Sequence, residues 1–334
     1  MAAALALSER TRGATAPNPN VGCVIVKHGR VIGRGWTQPG GRPHAEAMAL
    51  EQAGAESRGA TVYTTLEPCA HRSARGPTCS DLLAHAGVAR VVIALGDPDA
   101  RTGGRGAGRL RDAGIEVVEG VAEAAARAAM AGFLTRQAKG RPMVTLKLAT
   151  SLDGRIATAS GESRWITGPE ARAHAHLERA RHEAILVGRG TFDTDVPKLD
   201  VRLAGLEARS PRRLLLSRQK LAANFRWNDD AGWTVLETPG EIAGLEGVDH
   251  VLVEGGAGVA SSFLREGLVD RLLLYRAPIL IGSGRDALGD IGLGSLGEAH
   301  GRWTLTDSRQ LGSDRLEVYA LASSGKVGTT FPPG

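Results

Sequence analysis

The chain has 334 residues, of which 42% are apolar and 23% charged, and its formal net charge is +5. This length predicts about two domains, since one core rarely grows beyond roughly 250–300 residues. The composition is that of a soluble globular protein. The mild positive charge fits phosphorylated small molecules as well as nucleic acid, so charge does not choose between these partners.

Membrane insertion is not expected, because no segment approaches the ~18 consecutive apolar residues of a membrane span. Residues 1–7 are apolar, but Ser8-Glu9-Arg10 interrupts them. The apolar opening is too short for a signal peptide and predicts a first helix.

Alternating apolar runs and turn residues predict a mixed sheet covered by helices in the first half. Two prolines within residues 16–20 forbid a helix there, and His28-Gly29 predicts a hairpin connection. In chain order, the sequence predicts strands 21–27 and 30–35, helix 44–53, strand 60–65, helix 80–86, strand 88–94, helix 106–113, strand 115–118 and helix 123–135.

A metal-binding pattern lies at two of these strand-to-helix joints. His44-Ala45-Glu46 opens one helix, and Pro68-Cys69 precedes a later Cys79. His-x-Glu followed by Pro-Cys and a further Cys is the known signature of zinc-dependent nucleobase deaminases. Catalytic zinc sites use three protein ligands and leave a position for water, whose pKa the metal lowers. We therefore predict His44, Cys69 and Cys79 as ligands, and Glu46 as the proton shuttle to the leaving amine.

Each of these residues also has an ordinary interpretation. A lone histidine is usually a surface or core side chain, and a lone cysteine a small buried one. A structural zinc site would need four ligands, and His71 or His85 could complete one. Cys23 lies in an apolar strand and is assigned to the core. Two cysteines at zinc leave no pair for a disulfide, which indicates a reducing cytoplasm.

The polar, breaker-rich segment 137–142 predicts a domain boundary near residue 140. The first domain would span 1–140 and the second 141–322, with 323–334 as a loose tail. In the second domain the sequence predicts strand 143–149, helix 169–181, strands 184–187, 212–216, 233–236 and 250–254, helix 259–266 and strand 271–278.

A glycine-rich joint follows one of these strands at Glu254-Gly255-Gly256-Ala257-Gly258. Glycines let a backbone approach a phosphate, and a helix N-terminus favours its charge. The pattern is not the usual G-x-G-x-x-G, and a tight turn that needs small residues is the alternative. Segments 161–167 and 191–202 would each pass for a surface loop.

Taken together, the motifs resemble a known family. The first half is similar to cytidine-deaminase-fold enzymes. To about residue 320 the chain resembles the bacterial bifunctional deaminase/reductase of riboflavin biosynthesis. The matching segments are Pro17-Asn18-Pro19-Asn20-Val21-Gly22, Pro43-His44-Ala45-Glu46, Leu146-Lys147-Leu148-Ala149, Ser151-Leu152-Asp153-Gly154-Arg155, Gly161-Glu162-Ser163, Trp165-Ile166-Thr167 and Val253-Glu254-Gly255-Gly256.

The resemblance implies an α/β protein with an N-terminal cytidine-deaminase-like mixed sheet and a C-terminal dihydrofolate-reductase-like α/β domain. It implies zinc-dependent deamination of 2,5-diamino-6-ribosylamino-4(3H)-pyrimidinone 5′-phosphate, then NADPH-dependent reduction of the ribosyl to the ribityl group. The implied NADPH contacts are Ala149, Trp165, Thr191, Asp195, Ser217, Gly256, Ala257, Gly258, Val259, Ala260, Ser261 and Ser262. The implied substrate contacts are Ser163, Arg179, Leu199, Arg202 and Glu254, with Lys147 beside the hydride-transfer site. Bidentate arginine contacts to phosphate would suit Arg179 and Arg202.

The sequence departs from the family pattern in two places. The interval from Cys69 to Cys79 is one residue longer than usual, which leaves its substrate contacts open. Asp195-Val196-Pro197 stands where the family often has two acids, so only Asp195 carries over.

Two other functions remain as alternatives. A tRNA base deaminase has a similar zinc core, but the second half is a full α/β domain without a basic stripe. A non-catalytic, zinc-stapled binding protein would require Glu46 to be incidental. We expect a phosphorylated pyrimidine as partner, no nucleic acid and a cytoplasmic location, and leave a homo-oligomer open.

Overall fold

The computed structural model describes residues 1–71, 76–195, 197–219 and 232–322. These residues divide into two units. The first unit holds the described part of Met1–Pro142 together with Leu245–Asp249, and the second holds the rest. The tail predicted for 323–334 lies outside the described residues. No helix in the described ranges combines the length and apolar character that a membrane span requires.

The first unit contains a five-stranded mixed sheet, as predicted. Its strands are β1 (Gly22–Lys27), β2 (Arg30–Trp36), β3 (Thr61–Thr64), β4 (Arg90–Ile93) and β5 (Glu116–Val118). Their order is β2-β1-β3-β4-β5, with β1 antiparallel to both neighbours and β3, β4 and β5 parallel. His28 and Gly29 join β1 to β2 with positive φ angles of 49° and 73°, as a two-residue hairpin turn requires.

Helices cover both faces of this sheet. They are α1 (Ala2–Ser8), α2 (Ala45–Ala53), α3 (Cys79–Ala86), α4 (Arg105–Asp112), α5 (Glu123–Ala129) and α6 (Ala131–Lys139). A Cβ atom at Gly35 would lie 1.9 Å from the carbonyl oxygen of Ala45. Only glycine therefore allows α2 to approach β2 so closely, and this contact places the first turn of α2 against the sheet.

The prediction of a single helix over 123–135 is wrong. The structure has two helices there, because Met130 is fully buried and takes the non-helical angles φ −105° and ψ 22°. The second helix continues to Lys139 and ends at Gly140, whose φ is 66°. Every other predicted element agrees with the observed one to within two residues at each end.

The second unit is built on an eight-stranded sheet. The strands of this unit are β6 (Met143–Thr150), β7 (Arg155–Ala157), β8 (Ala184–Gly188), β9 (Arg212–Leu216), β10 (Thr234–Leu236), β11 (His250–Val253), β12 (Arg271–Arg276), β13 (Arg285–Asp286), β14 (Trp303–Leu311) and β15 (Asp314–Leu321). The main sheet has the order β10-β9-β8-β11-β6-β12-β15-β14, parallel from β10 to β12 and antiparallel beyond. β7 and β13 form a separate pair. Every residue of β8 and β11 is buried, as expected for central parallel strands.

Three helices follow strands of this unit: α7 (Pro169–Arg179), α8 (Arg189–Asp195) and α9 (Ala257–Arg265). α8 starts directly after β8, and α9 starts shortly after β11. In open parallel sheets, ligands bind outside the carboxyl ends of the strands. This edge of the sheet is therefore where a binding cavity is expected.

Candidate active sites

The three predicted zinc ligands lie together in the first unit. His44 is the N-cap of α2, Cys79 is the first residue of α3, and Cys69 follows β3. The Nδ1 atom of His44 is 3.3 Å from the Sγ of Cys79 and 3.7 Å from the Sγ of Cys69. All three ligand atoms lie within 4.8 Å of one another. One nitrogen and two sulfurs at these distances fit a single zinc ion with one position left for water.

Cys69 and Cys79 shift each other's pKa in opposite directions. The hydrogen bond from Cys79 lowers the pKa of Cys69 to about 4, while this bond and burial raise the pKa of Cys79. The lowered pKa of Cys69 favours its thiolate, which is the metal-binding form of cysteine. In the described ranges His71 and His85 lie outside the cluster, since their Nδ1 atoms contact Thr102 Oγ1 at 3.3 Å and Asp81 O at 2.7 Å.

Glu46 lies in the first turn of α2 and is only 3% exposed. Its Oε1 atom accepts a hydrogen bond from Thr64 Oγ1 at 3.2 Å. Burial raises the pKa of Glu46, and the neighbouring His44 opposes that effect. Glu46, His44 and Cys69 line one cavity of about 130 Å³. The geometry places a carboxyl group where it can take up and release a proton beside the metal ligands.

Sequence reasoning missed a wall of this cavity formed by Asp97, Asp99 and Arg101. Burial raises the pKa of Asp97 to about 6, whereas hydrogen bonds from Arg101 hold the pKa of Asp99 at about 2. A signal was present, because these residues follow the carboxyl end of β4, the parallel neighbour of β3. Other lining residues are Pro17, Asn18, Pro19, Val21, Thr37, Leu66, Glu67, His71, Phe133 and Gln137.

The second unit contains a larger cavity of about 600 Å³. Many residues predicted from the family resemblance line it: Lys147, Ala149, Ser163, Trp165, Arg179, Thr191, Asp195, Leu199, Arg202 and Glu254. Arg164 and Lys198, from the segments 161–167 and 191–202, also line it, together with Arg172 and His176, which sequence reasoning did not name. Six of the side chains named here as lining this cavity are lysine or arginine, which suits a phosphorylated ligand.

A buried ion pair organises this cavity. Arg179 donates from Nε and Nη2 to the two carboxylate oxygens of Glu254, at 2.8 and 2.9 Å. Its Nη1 donates to the carbonyl oxygen of Asp200 at 3.0 Å, and Lys147 Nζ lies 3.8 Å from Glu254 Oε2. Burial opposes ionisation of Glu254, but Arg179 and Lys147 prevail and lower its pKa to about 2. Sequence analysis expected Arg179 to make bidentate contacts to a phosphate, but in the structure Arg179 makes them to Glu254.

The rim of the cavity carries exposed groups. Trp165 is 67% exposed, and the guanidinium of Arg172 lies 4.7 Å from the centre of its ring. Arg202 exposes 61% of its side chain and donates from Nε to Asp200 Oδ1 at 2.9 Å. Leu199 is buried with a φ of 54°, a conformation that is uncommon for non-glycine residues.

Two groups of predicted cofactor contacts lie elsewhere in the second unit. Ser217 follows β9, and its hydroxyl donates to Gln219 O at 2.8 Å. The segment 256–262 forms the start of α9, whose N-cap Gly256 provides no side-chain cap. A Cβ atom at Gly256 would lie 4.0 Å from Oγ1 of Thr191, which lines the cavity. The uncapped helix start thus presents backbone N–H groups that fit a cofactor phosphate.

Two protein-family models match the chain. The cytidine and deoxycytidylate deaminase zinc-binding region matches residues 1–95, and the RibD C-terminal domain matches residues 142–316. The riboflavin biosynthesis protein RibD of Escherichia coli is 40% identical over 355 aligned positions, which cover 94% of this chain and 96% of that protein. The chain belongs to the RibD family.

Solved structures of RibD proteins have the same fold. RibD from Acinetobacter baumannii superposes with a TM-score of 0.84 at 38% identity, covering 96% of this chain and 97% of that one. A diaminohydroxyphosphoribosylaminopyrimidine deaminase/5-amino-6-(5-phosphoribosylamino)uracil reductase from Thermotoga maritima gives a TM-score of 0.85 at 33% identity, with the same coverage. The predicted fold class is confirmed in both halves.

These matches confirm the predicted function class. The protein is a bifunctional enzyme of riboflavin biosynthesis, a hydrolase that deaminates and an oxidoreductase that reduces. The zinc-binding deaminase model and the His44–Cys69–Cys79 cluster support zinc, and the reductase domain implies a nicotinamide cofactor. The alternatives, a tRNA base deaminase and a non-catalytic zinc-stapled protein, are not supported, because the matches extend through both halves.

Proposed function

We propose that this chain deaminates 2,5-diamino-6-ribosylamino-4(3H)-pyrimidinone 5′-phosphate and then reduces the ribosyl group of the product with NADPH. The observation that carries the deamination step is the cluster of His44, Cys69 and Cys79, of which His44 and Cys69 line one cavity together with buried Glu46. The Thermotoga relative is named for the same pair of activities.

In the deamination site, zinc held by His44, Cys69 and Cys79 would supply a water molecule of lowered pKa. Glu46 takes a proton from the attacking water and delivers it to the departing amine. A carbon–oxygen bond forms, the carbon–nitrogen bond breaks, and ammonia leaves. The burial of Glu46 suits this task, because a raised pKa lets one carboxyl group both accept and return a proton.

In the reduction site, the substrate side of the cavity comprises Lys147, Ser163, Arg179, Leu199, Arg202 and Glu254. Exposed Arg202 would bind the phosphate, whereas Arg179 orients the Glu254 carboxylate towards substrate hydroxyl or amine groups. The cofactor side comprises Ala149, Trp165, Thr191, Asp195, Ser217 and the α9 segment Gly256, Ala257, Gly258, Val259, Ala260, Ser261 and Ser262. Lys147, whose Nζ lies 3.8 Å from Glu254 Oε2, would lie beside the site of hydride transfer.

We assign the deaminase activity to residues 1–140 and the reductase activity to residues 141–322. The two zinc-binding thiols must stay reduced, which suits the cytoplasm. The first cavity, of about 130 Å³, is small, which suits one pyrimidine nucleotide better than a nucleic acid strand.

The test measures ammonia release and ribityl product from the purified protein. The pyrimidine should release ammonia without any cofactor, whereas the ribityl product should require NADPH. The kcat/KM for NADPH should exceed that for NADH by about tenfold, a difference that one extra charge contact can supply. Equal kcat/KM values for NADPH and NADH would refute the NADPH assignment. Ammonia release from an RNA oligonucleotide but not from the pyrimidine would refute the substrate assignment.

A further inference from the structure

Glu67 is a buried carboxylate to which the proposed mechanism gives no task. It stands two residues before the ligand Cys69 and is 3% exposed. Its Oε2 atom accepts backbone N–H bonds from Asp97 at 3.2 Å and Gly104 at 3.0 Å, and its Oε1 accepts one from Ala107 at 3.0 Å. A single side chain thus holds both ends of the segment 97–107.

Helix α4 depends on this carboxylate for its N-terminal cap. Its N-cap residue is Gly104, which has a φ of 74° and no side chain to cap with. The N–H groups of a first helical turn need acceptors, and an anion there also interacts favourably with the helix dipole. A Cβ atom at Gly106 would lie 2.0 Å from Pro68 O and 3.1 Å from Glu67 Oε1, so the start of α4 packs directly on the Pro68 backbone and the Glu67 side chain.

The segment that Glu67 holds forms a wall of the zinc cavity. Asp97, Asp99 and Arg101 all line that cavity. Thr102 is fully buried, and its Oγ1 lies 3.3 Å from Nδ1 of His71, another lining residue. The wall is therefore connected to the metal-binding segment at its beginning, its middle and its end.

We infer that Glu67 is a positioning residue for deamination, which fixes the 97–107 wall relative to the ligand Cys69. This inference depends on the proposed function, because the substrate would lie between that wall and the metal site. Glu67 also lines this cavity, but both of its carboxylate oxygens accept backbone hydrogen bonds, so it acts through the residues that it holds. Its loss should therefore weaken substrate binding more than the chemical step.

Glu67→Gln tests this role because it keeps the shape and replaces one acceptor oxygen by a donor. The KM for ammonia release should rise about tenfold, while kcat changes by less than about threefold. Zinc should stay at one per chain, and reduction of the deaminated compound should be unchanged. Val91→Ala is the matched control. Val91 is fully buried in β4, so its truncation should destabilise the same unit while leaving the Glu67 carboxylate in place. A KM that rises no more than in Val91→Ala would overturn the inference.

Amide hydrogen exchange provides a test that needs no substrate. The amides of Asp97, Gly104 and Ala107 should be protected in the wild-type protein and exchange faster in Glu67→Gln. Unprotected amides in the wild-type protein would overturn the inference. Absence of ammonia release from the wild-type protein would instead contradict the proposed substrate and leave this exchange result valid. If Glu67→Gln does not fold, Glu67→Asp, which retains both oxygens on a shorter side chain, takes its place in both measurements.

Discussion

The two cavities differ in what fixes their geometry. In the zinc site, His44 and Cys79 stand at the first turns of α2 and α3, so backbone positions place them. In the reductase cavity, the central carboxylate of Glu254 is held by Arg179, which lies 75 residues earlier. A site whose side chains stand at the first residues of helices tolerates substitutions of neighbouring residues. A site held by an ion pair loses its geometry when either partner is replaced.

The difference also concerns accessibility. The zinc cavity is about 130 Å³ and its shuttle carboxyl is almost completely buried, while the reductase cavity is about 600 Å³ and bears exposed Trp165 and Arg202. Under the proposed function, the larger cavity accepts the nicotinamide cofactor together with the substrate. We expect loss of a zinc ligand to abolish activity at the first site, and loss of one side chain at the second site to have a smaller effect.

The largest expected effect is that of Cys79→Ala. Removing one of three ligands leaves a nitrogen and a single sulfur, so bound zinc and ammonia release should both be lost. Metal analysis of the purified variant measures the first and an ammonia assay the second. Cys23→Ala is the matched control, because Cys23 is also buried and free but lies outside the cluster. Full zinc retention by Cys79→Ala would show that the ligand assignment is wrong.

A smaller effect is expected for Glu46→Gln, which keeps the zinc ligands and removes the titratable group. Ammonia release should fall by roughly 10²–10⁴, the usual contribution of a general acid–base residue. Reduction of the deaminated compound should continue at the wild-type rate. Glu51→Gln, on the exposed side of the same helix, should change neither rate. Loss of reduction in a folded, zinc-loaded Glu46→Gln protein would contradict the assignment of the two activities to separate sites.

Sequence reasoning could predict the zinc site because its chemistry is local. His44 and Glu46 are two residues apart, and Pro68-Cys69 marks the end of a strand, so motif spacing alone brings the right residue types together. The wall formed by Asp97, Asp99 and Arg101 was missed. Its position depends on the pairing of β3 with β4 and on three hydrogen bonds to Glu67, neither of which a motif records.

In the second unit, the sequence pattern predicts the buried central strands but not the exposed strands or the long-range ion pair. The buried strands β8 and β11 were predicted because continuous apolar runs mark central parallel strands. β14 and β15 were not predicted, since β14 is mostly exposed and carries Asp307-Ser308-Arg309 where an alternating apolar pattern would be expected. The pairing of Arg179 with Glu254 was also missed, because Arg179 belongs to α7 and Glu254 follows β11, and only the tertiary fold brings them together.

The smallest of the three effects is expected for Glu254→Gln, and it should depend on pH. The substitution leaves Arg179 partly buried without its counter-ion, which costs about 3 kcal/mol of unfolding free energy near neutrality. The pKa of Glu254 is lowered from 4.5 to about 2, so its stabilising charge is fully present above pH 4.5 and is lost as the pH falls towards 2. The difference in Tm between wild type and Glu254→Gln should therefore be largest at pH 7 and shrink below about pH 4.5. The Tm difference is measured by thermal unfolding. The unfolding transition of the second domain is identified as the one whose Tm rises when NADPH is added, since a bound ligand stabilises the domain that holds it.

The control is Glu266→Gln. Glu266 is exposed at the end of α9, so this substitution should leave Tm unchanged at every pH. A Tm difference that stays constant from pH 7 to pH 3 would mean that the Arg179–Glu254 ion pair does not hold this cavity together.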